Sequence, residues 1–161
     1  MVSLLLRLVH GMEIKDSMPY PWRIDFQSES KKSGDQFEDA VYEDLVSRGF
    51  GVIDRNYFFV GTGCEVDFRA QSDTNVEYVE AKGGNVGEGK RPGAQRTDSV
   101  KKAIANGALI KTFNTVYYVV YFSAKPEIAS YSDQMIKTAL KYKIIDEVRY
   151  IENLSTSSQV G

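Results

Sequence analysis

The sequence predicts a mixed α/β fold, a central sheet with helices packed against it, and three observations carry that expectation. Segments with apolar residues at the helical period alternate with short β-branched and aromatic runs, in the order α-β-β-β-α-β-α-β. Residues 115–123 are almost continuously apolar, as in a strand covered on both faces, which requires helices on both sides of the sheet. The 161 residues, 42% hydrophobic and 26% charged, suffice for about one domain and contain no apolar run near the ~20 residues of a membrane span.

Residues 1–32 read as an arm and linker, because Pro19 and Pro21 bracket Tyr20 and residues 27–34 are polar. Trp22 and Phe26 would pin this arm to the core or, beside Arg23, touch nucleic acid. A helix is expected from about residue 35 to 48, with Ser33 or Asp35 as cap, Phe37, Ala40, Val41 and Leu45 as its apolar stripe, and Gly49 as its stop. Strands follow at 50–60, 64–70 and 76–82, with turns at 61–63 and 72–75. After a glycine-rich basic loop at 83–93, a second helix carries Val100, Ala103, Ile104, Gly107 and Ala108 on one stripe. It begins either at Pro92 or behind an Asp98 cap. A buried strand, a helix at 132–141 and a last strand at 144–151 complete a domain spanning 33–151, and 152–161 reads as a frayed tail.

The rare residues exclude whole classes of chemistry. Cys64 is the only cysteine and His10 the only histidine, so there is no internal disulfide, no thiolate zinc cluster, no Ser-His-Asp or Cys-His nucleophile and no histidine-based nuclease. Cys64 is expected to be structural. Chemistry must run on carboxylates, lysine and a bound metal. The apolar stretch at 4–9 is broken by Arg7 and lacks a small-residue cleavage site, so it does not read as a signal peptide; with no disulfide, cytoplasmic placement is expected.

The carboxylates converge on the second and third strands. Strand alternation places Glu65 and Asp67 on one face with Val66 and Phe68 on the other, and Tyr78, Glu80 and Lys82 on a common face. If these strands pair as a hairpin, Asp67 and Glu80 come close enough to share a cation. Without one they repel, and one is driven toward protonation. Oxygen ligands without histidine or thiolate favour Mg²⁺, with Mn²⁺ as substitute. Lys82 reaches the same spot, where an amine can hold an attacking water and stabilise negative charge on a phosphate. The alternative is a solvated hairpin face with an ordinary salt bridge. Gly83-Gly84 directly after the lysine allows close backbone approach. On the first helix Glu38 falls beside Leu45 at the edge of the apolar stripe, where a carboxylate needs a partner. Asp44 falls near the same stripe, whereas Asp39 and Glu43 point to solvent.

Glu38 on a leading helix, then Asp67, then Glu80-Ala81-Lys82, on an αβββαβ core, resembles the PD-(D/E)xK nuclease superfamily, with its restriction endonuclease-like fold and its Holliday junction resolvases. The resemblance covers about residues 33–123. It implies that Asp67 and Glu80 ligate Mg²⁺ directly, with the Ala81 backbone carbonyl as a third ligand. Glu38 would help through water or a second metal, and Lys82 would activate the nucleophilic water. Gln95 matches a polar residue that some members carry on the helix after the ExK strand. Val66 departs from the proline of the family name, a position often apolar in resolvase-like members.

The segment after the carboxylates is basic. Lys82, Lys90, Arg91, Arg96, Lys101 and Lys102 stand against Glu88 and Asp98, a local +4 in a chain of net charge −2. That clustering suits a phosphate backbone, with Arg91 and Arg96 expected on phosphates. Gln95, Ser99, Lys102 and Asn106 share a helical face that reads, for its distal members, as solvated. The string Gly84-Asn85-Val86-Gly87-Glu88-Gly89-Lys90-Arg91 fits a phosphate loop only up to Arg91, which replaces the magnesium-binding hydroxyl, so no nucleotide cofactor is expected. Tyr117, Tyr118 and Tyr121 read as packing residues unless exposed as a stacking platform.

The reading is a metal-dependent DNA nuclease, resolvase-like or restriction-like, and the resemblance implies a 5′-phosphate and a 3′-hydroxyl as products. The alternative is a DNA-binding module that keeps the fold without cutting. DNA is the expected partner and no membrane is expected. Cutting both strands with one small domain takes two active sites, which makes a homodimer part of the same expectation.

Overall fold

The computed structural model describes residues 21–84 and 90–152, with side chains from residue 34 onward. The expectations placed on 1–20, on the glycine-rich loop at 85–89, on the tail at 153–161 and on the side chains of Trp22, Arg23 and Phe26 lie outside the described residues. The elements are α1 (Pro21–Ser47), β1 (Val52–Phe59), β2 (Cys64–Gln71), β3 (Val76–Lys82), a 3₁₀ turn (Gly93–Gln95), α2 (Thr97–Phe113), β4 (Tyr117–Phe122), α3 (Tyr131–Lys141) and β5 (Glu147–Tyr150). The five strands form one sheet in sequential order, with β1, β2 and β3 antiparallel and β3, β4 and β5 parallel. This is a mixed sheet flanked by helices, consistent with a restriction endonuclease-like core. Among the described residues no helix is long and apolar enough to cross a membrane.

Two helix starts differ from expectation. α1 begins at Pro21, so residues 21–32, read from sequence as linker, are helical in backbone, and no break separates them from the rest of α1. Proline at the first helical position loses no hydrogen bond, no proline or glycine intervenes before Gly34, and Gln27, Glu29, Lys31 and Lys32 are good helix formers. At the other helix the N-cap is Arg96, in extended conformation, and Pro92 instead precedes the 3₁₀ turn. Gln95 therefore sits in that turn and not on the helix.

The layers follow from which residues each face buries. On one face Phe37, Val41 and Leu45 of α1 pack on Phe68, Ala70, Val79, Val119 and Tyr121. On the other, Val100, Ala103 and Ile110 of α2 with Ile136 and Ala139 of α3 cover Cys64, Val66, Tyr118, Val120 and Phe122. β4, between the two parallel neighbours, buries all but its first residue. Complete burial of one such aromatic or aliphatic side chain stabilises by about 1.5–3 kcal/mol. Gly107 lets α2 settle against this sheet, since a Cβ there would lie 2.7 Å from the Ile144 carbonyl and 2.8 Å from the Tyr118 ring.

One irregularity places the site. Val66 and Phe68 have the same strand parity, yet they pack in the cores on opposite faces of the sheet. β1 does the same: Ile53 belongs to the α1 side and Tyr57 to the α2 side. The reversal occurs at Asn56, whose φ of 53° is left-handed, between the Arg55–Phe68 and Tyr57–Val66 pairs. Asparagine adopts that conformation more readily than other non-glycine residues. The expected separation of Val66 and Phe68 from the acids, all on one strand face, therefore fails at Asp67.

Candidate active site

The β2–β3 ladder ends where the chemistry begins. Its register pairs Phe68 with Val79 and would next set Asp67 opposite Glu80, but the pairing stops at Phe68. In place of a backbone rung, Asp67 Oδ2 accepts the Ala81 N–H at 2.6 Å. Glu80 is 4% exposed. Its Oε1 accepts from the Lys82 ammonium and, at 3.3 Å, from Asn106 Nδ2 on α2. Its Oε2 is buried with no hydrogen-bond partner among the described residues. Glycine at 83 sets how near α1 lies: a Cβ there would meet Phe37 Cβ at 2.8 Å, so the chain leaving Lys82 passes directly under the turn that carries Glu38.

The acids share one electrostatic field. Burial, the largest cause, pushes the Asp67 carboxyl above its ordinary range, opposed by the Lys82 charge and the Ala81 N–H. Burial likewise raises Glu80, opposed first by Lys82, while the Asp67 charge raises it further. Glu38, half-buried, is raised by burial, then by Asp67 and Asp35, and lowered by Arg55 and Lys82. Three carboxyls thus respond to one ammonium, and positive charge is short.

A divalent cation suits this deficit. The donors are all hard oxygens, and the partnerless Glu80 oxygen is the kind of group an ion would satisfy. Convergence is nevertheless partial, since among the described residues no group of three His, Cys, Asp or Glu side chains gathers closely enough to hold an ion. Asp67 and Glu80 form the centre with Lys82, and Glu38 stands at its edge. Glu65 is exposed and takes no part.

Gln95 lines a separate small cavity, with Arg91, Thr97 and residues opening α3. Lys90, Arg91, Arg96, Lys101 and Lys102 are all exposed. Arg96 and Lys102 both lie against Asp98, at 3.7 and 3.4 Å, so one acid tempers two of the five charges. Tyr118 and Tyr121 are wholly buried, which rules out base stacking for them; Tyr117 is 41% exposed. Cys64 is a buried free thiol.

Two features were missed by sequence reasoning. Asn106, expected on a solvated face, donates to Glu80; its signal was the polar face it shares with Ser99, which is itself buried. The second is a network on the α1 side. Arg149 of β5 makes paired bonds to Glu77 at 2.7 and 2.9 Å, holds Glu147 at 2.7 Å and donates to the Tyr121 hydroxyl at 2.9 Å. Tyr121 in turn donates to Asp44 at 2.7 Å, so Asp44 finds a structural partner. No local motif marks this set, whose principal pair is separated by 72 residues.

No family model and no solved structure matches the chain. It is 32% identical over 123 residues, covering 76% of this chain and 92% of the relative, to a UPF0102 protein of Sulfurovum sp. (strain NBC37-1). The chain belongs to the UPF0102 family.

Proposed function

We propose that this member of the UPF0102 family is a divalent-metal-dependent deoxyribonuclease of the PD-(D/E)xK type. The observation that carries the reading is the Glu80 carboxylate, buried at the open end of β2–β3 with one oxygen partnerless, beside Asp67 and Lys82. A structural ion pair has no need of an unsatisfied oxygen, which costs about 1–3 kcal/mol or more for a charged group.

Asp67 and Glu80 would hold Mg²⁺ or Mn²⁺, with the Ala81 carbonyl as a further oxygen and Glu38 acting through water. When bound, the cation supplies charge stabilisation at the phosphate and a lowered pKa for water. The protein's own part can be followed residue by residue. The Ala81 N–H fixes the Asp67 carboxylate. Asn106 fixes one Glu80 oxygen, leaving the other for the ligand. Lys82, beside Glu80, would orient the attacking water and face the developing negative charge on the phosphate. Displacement in line leaves a 5′-phosphate and a 3′-hydroxyl. The exposed Lys90, Arg91, Arg96, Lys101 and Lys102 would meet the backbone. An endonuclease, resolvase-like or restriction-like, fits best, with a homodimer supplying a second site for duplex cutting.

The Lys82–Glu80 ion pair favours the alternative, a DNA-binding module that keeps the fold without cutting, because the lysine is already engaged. Cleavage of labelled single-stranded, linear duplex, supercoiled and four-way-junction DNA separates the two. Metal-dependent cleavage that disappears in Asp67→Ala and in Lys82→Ala is expected. Folded wild-type protein that binds these DNAs and cuts none with Mg²⁺ or Mn²⁺ would establish the module.

A further inference from the structure

We infer that the cavity between the 3₁₀ turn and the first turn of α3 is a second phosphate site, taking another backbone phosphodiester of the strand that is cut at Glu80 and Lys82. The inference rests on the nuclease reading for its choice of ligand, but its cavity is built independently of the carboxylates.

The cavity measures about 110 Å³, room for several waters or one phosphate group. Ser132, at the second position of α3, lines it and is 2% exposed, and its Oγ has no hydrogen-bond partner among the described residues. A buried hydroxyl without a partner is uncommon and points to a missing ligand. Ser130 caps the helix by accepting the Asp133 N–H at 3.3 Å. The other first-turn N–H groups of an α-helix have no partner within it, and the helix dipole favours an anion there. Arg91, Gln95 and Thr97 close the opposite wall with a positive charge and neutral donors. Two acids lie nearby. The Asp133 carboxylate is engaged by the Ala129 N–H at 2.9 Å and by Lys137 at 2.7 Å, whereas Glu127 lines the cavity itself, with its side chain exposed to solvent and opposite in charge to Arg91.

The backbone ties this cavity to the carboxylate centre. The Lys82 carbonyl accepts the Ser123 N–H at 3.3 Å, and Ala94 donates to the Ala124 carbonyl at 3.1 Å. Gly93 lies so close that a Cβ would sit 2.6 Å from the Ala124 nitrogen. The end of β3, the end of β4 and the 3₁₀ turn are thus joined in succession along the C-terminal edge of the parallel strands, where open α/β sheets take their ligands. Ser123 Oγ, on this same line, is another buried oxygen without a partner. That edge leads from Glu80 toward the α3 N-terminus, the course the proposed strand would take.

Duplex binding in metal-free buffer tests this apart from cutting. Ser132→Ala deletes an oxygen with no protein partner, so an unchanged or higher Tm is expected, with duplex affinity weakened by at least about fivefold. Arg91→Ala is expected to lower the slope of log affinity against log salt by about one, and inorganic phosphate to raise the Tm of wild type but not of Ser132→Ala. Should Ser132→Ala fail to fold, Thr97→Val, which removes another hydroxyl lining the cavity, decides by the same affinity and phosphate-dependent Tm readouts. Unchanged affinity and slope in both variants would overturn the site while wild-type cleavage kept the nuclease reading. Weakened binding in both, from a wild type that cuts nothing, would support the site and remove the catalytic reading. Phosphate stabilisation with indifferent duplex affinity, or no duplex binding by wild type, would overturn the assignment to nucleic acid.

Discussion

Glu77 and Glu80 lie three residues apart on β3, each 4% exposed, and the alternation of a strand turns them to opposite sides of the sheet. On the α1 side Glu77 receives two guanidinium bonds from Arg149 and a third from Asn75 at 3.2 Å. On the α2 side Glu80 shares one oxygen between Lys82 and Asn106 and leaves the other with nothing. The same residue type, equally buried on one strand, is satisfied in one place and deficient in the other. Burial of a charge is therefore not by itself the mark of a functional site; incomplete satisfaction is.

The largest expected effect tests the satisfied side. Arg149→Met takes the guanidinium away from the buried Glu77 and from Glu147, and urea unfolding should show a loss of about 3–5 kcal/mol. Adding Glu77→Gln should restore much of it. Next comes the deficient side, where Glu80→Gln should reduce cleavage about a thousandfold, near 4 kcal/mol of barrier, while the fold survives. If Glu80→Gln instead unfolded the chain as Arg149→Met does, the two glutamates would be equivalent and the comparison would collapse.

The smallest effect is a difference in pH dependence. Glu147 is lowered by Arg149, and Asp44, which burial alone would raise, is lowered by its bonds from Arg48 and Tyr121. Their contribution to stability is present above the unfolded carboxyl values and lost as pH falls through the folded ones. Glu80 is raised, mainly by burial, so its contribution has the opposite sign: stability is greatest below the ordinary 4.5 and declines as pH rises through the folded value. Without metal, the stability advantage of Glu80→Gln over wild type should accordingly grow between about pH 4 and about pH 7 in urea titrations. An advantage constant across that range would mean that burial does not raise the Glu80 carboxyl.

Much of the fold and the centre of the site were legible in the sequence. β3 was bounded at both ends, and the order of elements followed from periodicity, because apolar spacing is a local property. Asp67, Glu80 and Lys82 were grouped by alternation and an assumed hairpin, and the β2–β3 register, continued one step beyond its last pair, sets Asp67 opposite Glu80. The mechanism of that grouping was not visible. Alternation assumes a regular strand, and the reversal at Asn56 and Asp67 breaks it, a single left-handed residue re-aiming the acid into a gap between strands. An asparagine within a β-rich run was the available signal. Asn106 and Arg149 escaped for another reason. Each acts on a residue distant in sequence, and only the packing of α2 and β5 on the sheet determines that partner. Gln95 was misplaced because Pro92 and Gly93 before the helix concealed a separate turn.

The position of Arg149 also orders events in time. It stands 72 residues after Glu77, and at about 5–20 residues per second a ribosome makes the two roughly 4–14 s apart. For that interval the nascent chain carries a glutamate destined for the interior whose counter-charge has not been synthesised. The first three strands precede β5 in the chain, and the Glu77 carboxylate gains its guanidinium partner only when β5 arrives. The last strand acts as a latch on a structure whose other parts were made earlier.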